Sequence, residues 1–347
     1  MNEHGIQRVQ KSGSSFPPME TLPGDYLCFP QLNSSCKKPA HPHTEAMLVY
    51  VLLSSISLIT VVLNVLVIIS ISHFRQLHSP TNLLILSLAV SDLLVGLLLM
   101  PVEIIYIEAC WFLGDILCTT YYLVDYVITS ASVANMVLIS VDRYIAICEP
   151  LHYPTKVTKR RVQNCVCFCW IWSAIFRIFL LYDHLEKPGS SNSCLGECVV
   201  IINYAAGVAD LVFTFIIPIL CIIVLYLRVF VVALSQARAM RSRVAASTTR
   251  RSGATTVKKT EMKAARTLGL VILVFLFCFC PYYYPALAGK DTSIDASSAA
   301  FEIWLAHFNS CLNPVIYAFF YPWFRKSIQL ILTLQILKPG SCDANVL

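Results

Sequence analysis

Long apolar segments restrict the fold of this chain more than any other feature of its sequence. From residue 44 onward one pattern recurs, in which an apolar stretch of about 20 to 25 residues is followed by a short polar break. A helix needs about this length to cross the hydrocarbon of a bilayer, whereas barrel strands have about ten residues and alternate polar with apolar. The sequence therefore predicts seven membrane-spanning helices, at about 46–72, 81–106, 116–148, 162–183, 200–234, 264–288 and 297–320.

The composition agrees with a membrane protein. Apolar residues make up 57% of the chain and charged residues only 13%, against about 25% charged residues in an ordinary soluble domain. The mean hydropathy is +0.67. These values argue against a cytosolic enzyme and against a disordered protein.

The basic residues predict which side of the membrane each end faces. They are dense in one set of polar breaks, above all at 156–161 and 238–266, whereas the other set holds only Lys187 and Lys290. Because basic loops remain in the cytoplasm, the amino-terminal tail is predicted to lie outside. Asn33, in Asn33-Ser34-Ser35, is then a glycosylation acceptor.

The predicted organisation is that of an all-α membrane protein with three parts. An extracellular tail occupies 1–45, and a seven-helix bundle occupies 46–320, with a third cytoplasmic loop at about 235–263. A short amphipathic helix and a cytoplasmic tail follow at 321–347.

The fifteen cysteines fall into two groups under this topology. Six lie on the predicted outer side, where an even number of cysteines favours disulfide pairing. Six cysteines allow fifteen pairings, so their spacing alone does not identify the partners. The outer cysteines are Cys28, Cys36, Cys110, Cys118, Cys194 and Cys198.

Acidic residues inside the predicted spans are candidates for function, because a charge in hydrocarbon is costly unless something stabilises it. Asp125 lies eighteen residues before Arg143, which is five helical turns, so both residues occupy one face of the third span. Arg143 marks the inner boundary, beside Asp142, and Asp125 is therefore in the outer half, where it can meet a cation arriving from outside. The alternative is that Asp125 forms an ion pair with a basic residue of the protein. Arg177 is the only Lys or Arg in the outer half of any predicted span.

Asp210, eight residues before Pro218, is predicted to face the same cavity from the fifth span. Two unpaired carboxylates in one apolar cavity repel each other unless a dication lies between them. An aliphatic diamine with about 7 to 8 Å between its nitrogens fits between facing helices. The pair therefore predicts a diamine site, with Glu103 either meeting a third amine or lying at the outer rim. The alternative is that Asp210 faces the lipid headgroups or stays protonated.

Short sequence motifs occur in all seven predicted spans. They are Asn64, Leu88-Ala89-Val90-Ser91-Asp92, Asp142-Arg143-Tyr144, Trp170, Pro218, Cys280-Pro281 and Asn313-Pro314-Val315-Ile316-Tyr317. In this order they resemble the motifs of rhodopsin-like G-protein-coupled receptors, and the resemblance covers nearly the whole chain. Residues 309–324 and Cys194-Leu195-Gly196-Glu197-Cys198 carry a narrower resemblance, to the trace amine-associated receptors.

The resemblance implies a multi-pass plasma-membrane receptor rather than an enzyme. It implies a small-molecule amine as ligand, a stimulatory G protein that raises cyclic AMP, contact with membrane lipids, no nucleic acid, and a chemosensory role in olfactory neurons. If Asp125 and Asp210 both bind the ligand, we expect the ligand to be a diamine or polyamine such as cadaverine, putrescine or spermine. The alternative is a monoamine receptor, for a trace amine or a serotonin-like amine, that uses Asp125 alone. A retinal photoreceptor is excluded because residues 297–321 contain no lysine.

The resemblance also implies roles for individual residues. Phe279 stands where the family usually has tryptophan, and His307 where many amine receptors have tyrosine. An allosteric sodium ion is the one cofactor implied, at Asp92, Ser132, Asn309 and Asn313. The predicted ligand-binding residues are Asp125, Asp210, Glu103, Thr129, Thr214, Phe279, Tyr282, Tyr283, Trp304 and His307.

A switch and a disulfide pattern complete what the resemblance implies. Arg143 and Glu261 are expected to form an ion pair at rest, and Pro218 and Val133 are expected to pack with Phe275. The implied disulfides are Cys118–Cys198, Cys28–Cys194 and Cys36–Cys110. The predicted switch residues are Asp142, Arg143, Tyr226, Glu261, Phe275, Asn313 and Tyr317.

Overall fold

The computed structural model is predominantly helical. It describes residues 26–32, 34–38, 43–106, 110–246, 269–270, 272–283 and 296–346. Within these ranges, five helices are long and apolar enough to cross a membrane, at Met47–His73, Pro80–Tyr106, Asp115–Cys148, Lys159–Leu180 and Tyr204–Val232. They coincide with the first five predicted spans. The sixth span is described over Ile272–Tyr283, and the seventh is the helix Ala296–Phe320.

Polar residues set where the spans begin. Ser79, Thr158 and Asn203 immediately precede the second, fourth and fifth spans, and each side-chain oxygen accepts a hydrogen bond from the backbone N–H three residues later. Such a cap satisfies one of the N–H groups that a helix leaves unpaired at its start. Pro80 occupies the first turn of the second span, where a missing N–H costs nothing.

The third span lies at the centre of the bundle and packs against the second, fourth and fifth spans, while the first packs against the second and seventh. The buried core includes Leu88, Val133, Phe275 and Tyr317. Large apolar side chains such as Phe277 remain exposed on the outside of the bundle. An apolar outer surface of this kind suits a lipid environment rather than water.

Two spans contain a π-helical turn next to an acidic residue. The turn Val95–Leu99 precedes Glu103 in the second span, and the turn Val212–Ile216 follows Asp210 in the fifth. A π turn accommodates one more residue than an α turn and therefore rotates the following residues around the helix axis. The hydroxyl of Ser57 in the first span donates to the Gly96 carbonyl within the first of these turns, at 2.8 Å.

The disulfides gather at one end of the bundle, called here the disulfide end. In the tail, Tyr26–Leu27 pairs antiparallel with Lys37–Lys38, and Ser35 forms a bridge with Leu195 of the loop between the fourth and fifth spans. The bonds are Cys118–Cys198, Cys28–Cys110 and Cys36–Cys194.

Cys118–Cys198 has the expected partners, but the predicted pairs Cys28–Cys194 and Cys36–Cys110 are wrong because their partners are exchanged. The reason is local: the Cys36 N–H donates to the Leu195 carbonyl at 3.0 Å. This backbone contact places Cys36 beside Cys194 and leaves Cys28 for Cys110. The described part of the tail is thus fastened to the bundle rather than freely exposed.

Peptide mapping without reduction should test this pairing. We expect proteolytic fragments in which Cys28 is linked to Cys110 and Cys36 to Cys194, because the bridge between Ser35 and Leu195 fixes the register of the tail. The Cys118–Cys198 fragment serves as the internal control. Linkage of Cys28 to Cys194 would contradict the pairing, as would free thiols at Cys28 and Cys36.

Two helix boundaries add to the predicted organisation. The fifth helix continues to Ala246, beyond the predicted start of the third cytoplasmic loop at 235, and residues 235–246 are rich in the helix formers Ala, Arg and Gln. After the seventh span, the helix Pro322–Leu332 buries Trp323 and Phe324. Asn33 and Glu261 lie outside the described residues.

Candidate functional site

Asp125 is buried in the third span two helical turns below Cys118 and is therefore close to the disulfide end. Only 9% of its surface is exposed. Its Oδ1 lies 3.3 Å from Nε2 of His307 on the seventh span and accepts a hydrogen bond from the Thr129 hydroxyl at 3.4 Å. Within the described ranges, no lysine or arginine forms an ion pair with Asp125. His307 balances its charge only when the imidazole is protonated, so beside a neutral His307 this carboxylate is available to a cationic ligand.

Glu103 belongs to the same site. Its side chain is buried, and its Oε1 accepts a hydrogen bond from the Tyr121 hydroxyl at 2.6 Å. Glu103 also interacts electrostatically with His307 and Asp125. Glu103 is thus not at an exposed rim; together with Asp125 and His307 it forms what is called here the acid cluster.

Asp210 has a partner within the protein, which corrects the prediction of an unpaired carboxylate. The Nη1 atom of Arg177 lies 2.5 Å from Asp210 Oδ1. The two groups therefore form an ion pair inside the bundle. Arg177 Nε donates to the Ser130 hydroxyl at 2.8 Å, and Thr214 donates to Asp210 Oδ1 at 3.0 Å. Arg177 and Asp210 are called here the ion pair of the fourth and fifth spans.

Tyrosines lie between the acid cluster and this ion pair. Tyr126 and Tyr282 each interact electrostatically with both Asp125 and Asp210. Tyr283 stacks on Phe215, with ring centroids 4.1 Å apart. The two charged groups therefore border one region whose walls carry aromatic faces and phenol hydroxyls, which suits the carbon skeleton of an amine.

Two other predicted ligand-binding residues lie in apolar packing. Phe279 packs against Phe275, with ring centroids 4.6 Å apart. Trp304 belongs to an apolar cluster with Leu99 of the second span and Ile128 of the third. The structure thus brings together Glu103, Asp125, Thr129 and His307 in one group and Asp210, Thr214 and Tyr283 in a second.

Sequence reasoning missed the role of Arg177. It considered this residue only as a partner for Asp125, whereas the arginine faces inward and pairs with Asp210. The signal was present, because a buried cation in a membrane span requires a partner. It also missed Tyr121 and Tyr126, because aromatic residues in a span give no indication of whether their hydroxyls face a site or the lipid.

The predicted sodium residues form a polar pocket deeper in the bundle. Asn313 Nδ2 donates to Asp92 Oδ2 at 2.9 Å, and Ser132 and Asn309 are also buried. Within the described part of the chain, Asp92 Oδ1, Asn309 Oδ1 and Asn313 Oδ1 are buried without a protein hydrogen-bond partner. Oxygen atoms of this kind are suitable ligands for a hard cation.

At the opposite end of the bundle, Arg143 is held by neighbouring residues. Its Nε donates to Asp142 Oδ2 at 3.0 Å, and its Nη2 donates to the Thr81 hydroxyl at 2.6 Å. Tyr153, in the loop after the third span, donates to Asp142 Oδ1 at 2.9 Å. Burial raises the pKa of the Tyr153 phenol, and the Asp142 carboxylate raises this pKa further.

Phe275, Asn313 and Tyr317, three of the other predicted switch residues, are buried, and Tyr226 is partly buried. Val133, Phe275 and Tyr317 lie in the core. The hydroxyls of Tyr226 and Tyr317 are buried and have no hydrogen-bond partner among the described residues. Each tyrosine hydroxyl therefore lacks an acceptor in the part of the chain that the structure describes, and a different arrangement of the helices can supply one.

Comparison with known proteins agrees with this architecture. A family model described as 7 transmembrane receptor (rhodopsin family) matches residues 63–317. The chain is 37% identical over 328 residues to trace amine-associated receptor 13c of Danio rerio, covering 92% of this chain and 96% of the relative. It is 37% identical over 330 residues to trace amine-associated receptor 7h of Rattus norvegicus, covering 92% of each. It is also 37% identical over 330 residues to trace amine-associated receptor 8b of Mus musculus, covering 92% of this chain and 96% of the relative.

Proposed function

Because the chain belongs to the rhodopsin family of seven-transmembrane receptors, and within it to the trace amine-associated receptors, we propose that it binds extracellular amines at the acid cluster and signals through a stimulatory G protein to cyclic AMP. Membership of this family makes the chain a receptor rather than an enzyme, located in the plasma membrane as a multi-pass protein. It also implies a small-molecule ligand and a G-protein partner.

The observation that carries the proposal is the state of Asp125. This buried carboxylate contacts His307 and Thr129 but pairs with no lysine or arginine among the described residues. An ammonium group brings a positive charge and several N–H donors, and charge-assisted hydrogen bonds to a carboxylate are about twice as strong as neutral ones. Glu103 adds negative potential at the same place and increases the attraction for a cation.

Two ligand classes satisfy the acids of the site. A diamine or polyamine would place one ammonium at Asp125 and a second at Asp210, whereas a monoamine would use Asp125 alone. The Arg177–Asp210 ion pair favours the second class, because the second carboxylate is already neutralised. We therefore propose a receptor that recognises one ammonium group, with the rest of the ligand against Tyr126, Tyr282 and Tyr283.

We also propose how the receptor is oriented in the membrane and in which cells it acts. The disulfide end faces the outside, since disulfides persist in an oxidising compartment, and Asn33 in the outer tail carries a glycan. The helix Pro322–Leu332 lies along the cytoplasmic surface of the membrane with Trp323 and Phe324 turned toward the bundle. We propose a chemosensory role, as in olfactory neurons, on the basis of the family resemblance.

Activation requires that the ligand bind an open state of the bundle more tightly than the closed state. We propose that Phe275 and Val133 transmit the change from the acid cluster, and that Arg143 then leaves Asp142 for Tyr226 and Tyr317. A sodium ion held by Asp92 and its neighbours would stabilise the closed arrangement by supplying charge that these oxygens otherwise lack.

Glu261→Ala should raise basal signalling. If Glu261 pairs with Arg143 at rest, its removal weakens one of the restraints that keep the third and sixth spans together, and the open state becomes more populated. We expect basal cyclic AMP to rise at least about threefold at equal surface expression, because a threefold rise requires a shift of only about 0.7 kcal/mol. Glu261→Asp is the matched control. Unchanged basal cyclic AMP in Glu261→Ala would count against the pairing.

The proposed function is tested by applying a panel of aliphatic and aromatic monoamines, diamines and polyamines to cells that express the receptor, with cyclic AMP as readout. A parallel series in cells that lack the stimulatory Gα subunit shows whether this G protein carries the signal. We expect a saturable response to monoamines that disappears in those cells. A surface-expressed receptor that responds to no amine would contradict the proposal.

A further inference from the structure

Arg177 is a buried cation whose position the family motifs do not explain. Its side chain lies in the fourth span, near the disulfide end, and is 1% exposed. Long basic side chains at the end of a span ordinarily extend to the membrane surface, where their charge remains hydrated. Arg177 instead points into the bundle, so the structure holds a positive charge inside the region that receives the ligand.

The surroundings of Arg177 fix its guanidinium in one place. Nε donates to Ser130 at 2.8 Å, Nη1 lies 2.5 Å from Asp210 Oδ1, and the guanidinium carbon is 5.0 Å from the centre of the Tyr126 ring. A hydrogen bond, an ion pair and a cation–π contact therefore act on the same group. Ser130 and Tyr126 lie one turn apart on the third span and Asp210 lies on the fifth, so contacts from two helices restrain the planar guanidinium more than a single ion pair would.

Arg177 already balances the charge of Asp210. Its Oδ1 atom meets both Arg177 and the Thr214 hydroxyl. An ammonium that approached Asp210 would meet a carboxylate whose charge is already balanced, and it would lie within a few ångströms of the guanidinium. Like charges at that separation repel strongly where little water is present. A ligand can therefore pair a second ammonium with Asp210 only by displacing Arg177.

We propose that Arg177 is a specificity-determining residue that acts as a tethered cation. It occupies the place of a second ligand ammonium at Asp210 and so restricts the receptor to ligands with one ammonium, bound at Asp125, and an uncharged remainder. This inference rests on the proposed function of the chain as an amine receptor. It assigns to the fourth span a part in ligand selection that the acids alone do not predict.

The test compares n-pentylamine with 1,5-diaminopentane, which have the same carbon chain and differ by one ammonium. The measured quantity is the ratio of their half-maximal concentrations in the cyclic AMP assay. In the wild type we expect the monoamine to be at least as potent as the diamine. Arg177→Met keeps the length and apolar bulk of the side chain but exposes the Asp210 carboxylate to the ligand. We expect this variant to improve diamine potency at least tenfold relative to the monoamine.

Two controls isolate the charge of Arg177. Arg177→Lys keeps a cation near Asp210 and should leave the ratio within threefold of the wild type. The double variant with Arg177→Met and Asp210→Asn removes the released carboxylate and should return the ratio to the wild-type value. Surface expression is measured for every variant, and Arg177→Gln, which keeps a donor for Ser130, replaces Arg177→Met if the latter does not reach the surface.

Three outcomes would overturn the inference. One is a wild-type receptor that is tenfold or more sensitive to the diamine than to the monoamine, a result that needs no variant. Another is a ratio of half-maximal concentrations that stays within threefold of the wild-type value in surface-expressed Arg177→Met or Arg177→Gln. The third is a diamine gain that persists in the double variant. In all three cases the receptor still responds to an amine, which distinguishes them from failure of the proposed function, in which no amine of the panel activates the receptor.

Discussion

Asp125→Asn is expected to raise the half-maximal concentration of every activating amine at least about a hundredfold. Removing one partner of a buried charge pair typically costs about 3 to 5 kcal/mol, and 1.4 kcal/mol corresponds to a factor of ten in affinity. Asp125 keeps 9% of its surface exposed, and this residual hydration reduces the cost, so a hundredfold loss is the lower bound. The measurement is a cyclic AMP concentration–response curve at matched surface expression.

Asp183→Asn provides a control for the loss of one negative charge near the same end of the bundle. Asp183 follows the fourth span and is exposed, so its charge is largely screened by water and salt. We expect the half-maximal concentration of this variant to stay within threefold of the wild-type value. A similarly small change in Asp125→Asn would remove this residue as the ammonium anchor.

Asp210→Asn is expected to destabilise the folded receptor, whatever its effect on ligand potency. The substitution leaves the guanidinium of Arg177 buried without a counter-charge, and breaking a buried pair in this way typically costs about 3 to 5 kcal/mol. The melting temperature can be followed with a thiol-reactive dye, because Cys278 and Cys311 are buried free cysteines that react on unfolding. We expect a lower melting temperature and lower surface expression.

Two further variants make this stability prediction specific. Adding Arg177→Met to Asp210→Asn removes the uncompensated charge, so the double variant should melt closer to the wild type than Asp210→Asn does. Asp343→Asn breaks the exposed pair between Arg75 and Asp343, whose side chains are 70% and 61% exposed, and exposed pairs contribute only about 0 to 1 kcal/mol. Equal melting temperatures for Asp210→Asn and Asp343→Asn would show that the Arg177–Asp210 pair is not a buried one.

Hydropathy was sufficient to predict where the described spans lie, because the requirement for an apolar helix of fixed length is strict. The helical repeat was also sufficient to predict where Asp125 lies, since Arg143 on the same helix indicated both its depth in the membrane and the helix face that it occupies. Asp210 and Arg177 had no such reference. The rotation of the fourth and fifth spans is set by packing, which hydropathy does not record. The sequence therefore indicated that Arg177 needs a partner but not that Asp210 is this partner.

Local irregularities account for other differences between prediction and structure. The π turn Val95–Leu99 changes the direction in which the following residues point, which is why the burial of Glu103 could not be obtained from α-helical periodicity. The disulfide partners of the tail depend on the backbone bridge between Ser35 and Leu195. Contacts of that kind join segments far apart in the sequence, and cysteine spacing carries no information about them.

We propose that the ligand ammonium binds Asp125 while Arg177 remains on Asp210, and an experimental structure of the receptor with a bound monoamine tests this arrangement directly. We expect the amine nitrogen at about 2.7 to 3.2 Å from a carboxylate oxygen of Asp125, with the Arg177–Asp210 ion pair intact and the uncharged part of the ligand against the tyrosines. An amine nitrogen bound to Asp210, with the guanidinium of Arg177 displaced from it, would show that this arrangement is wrong.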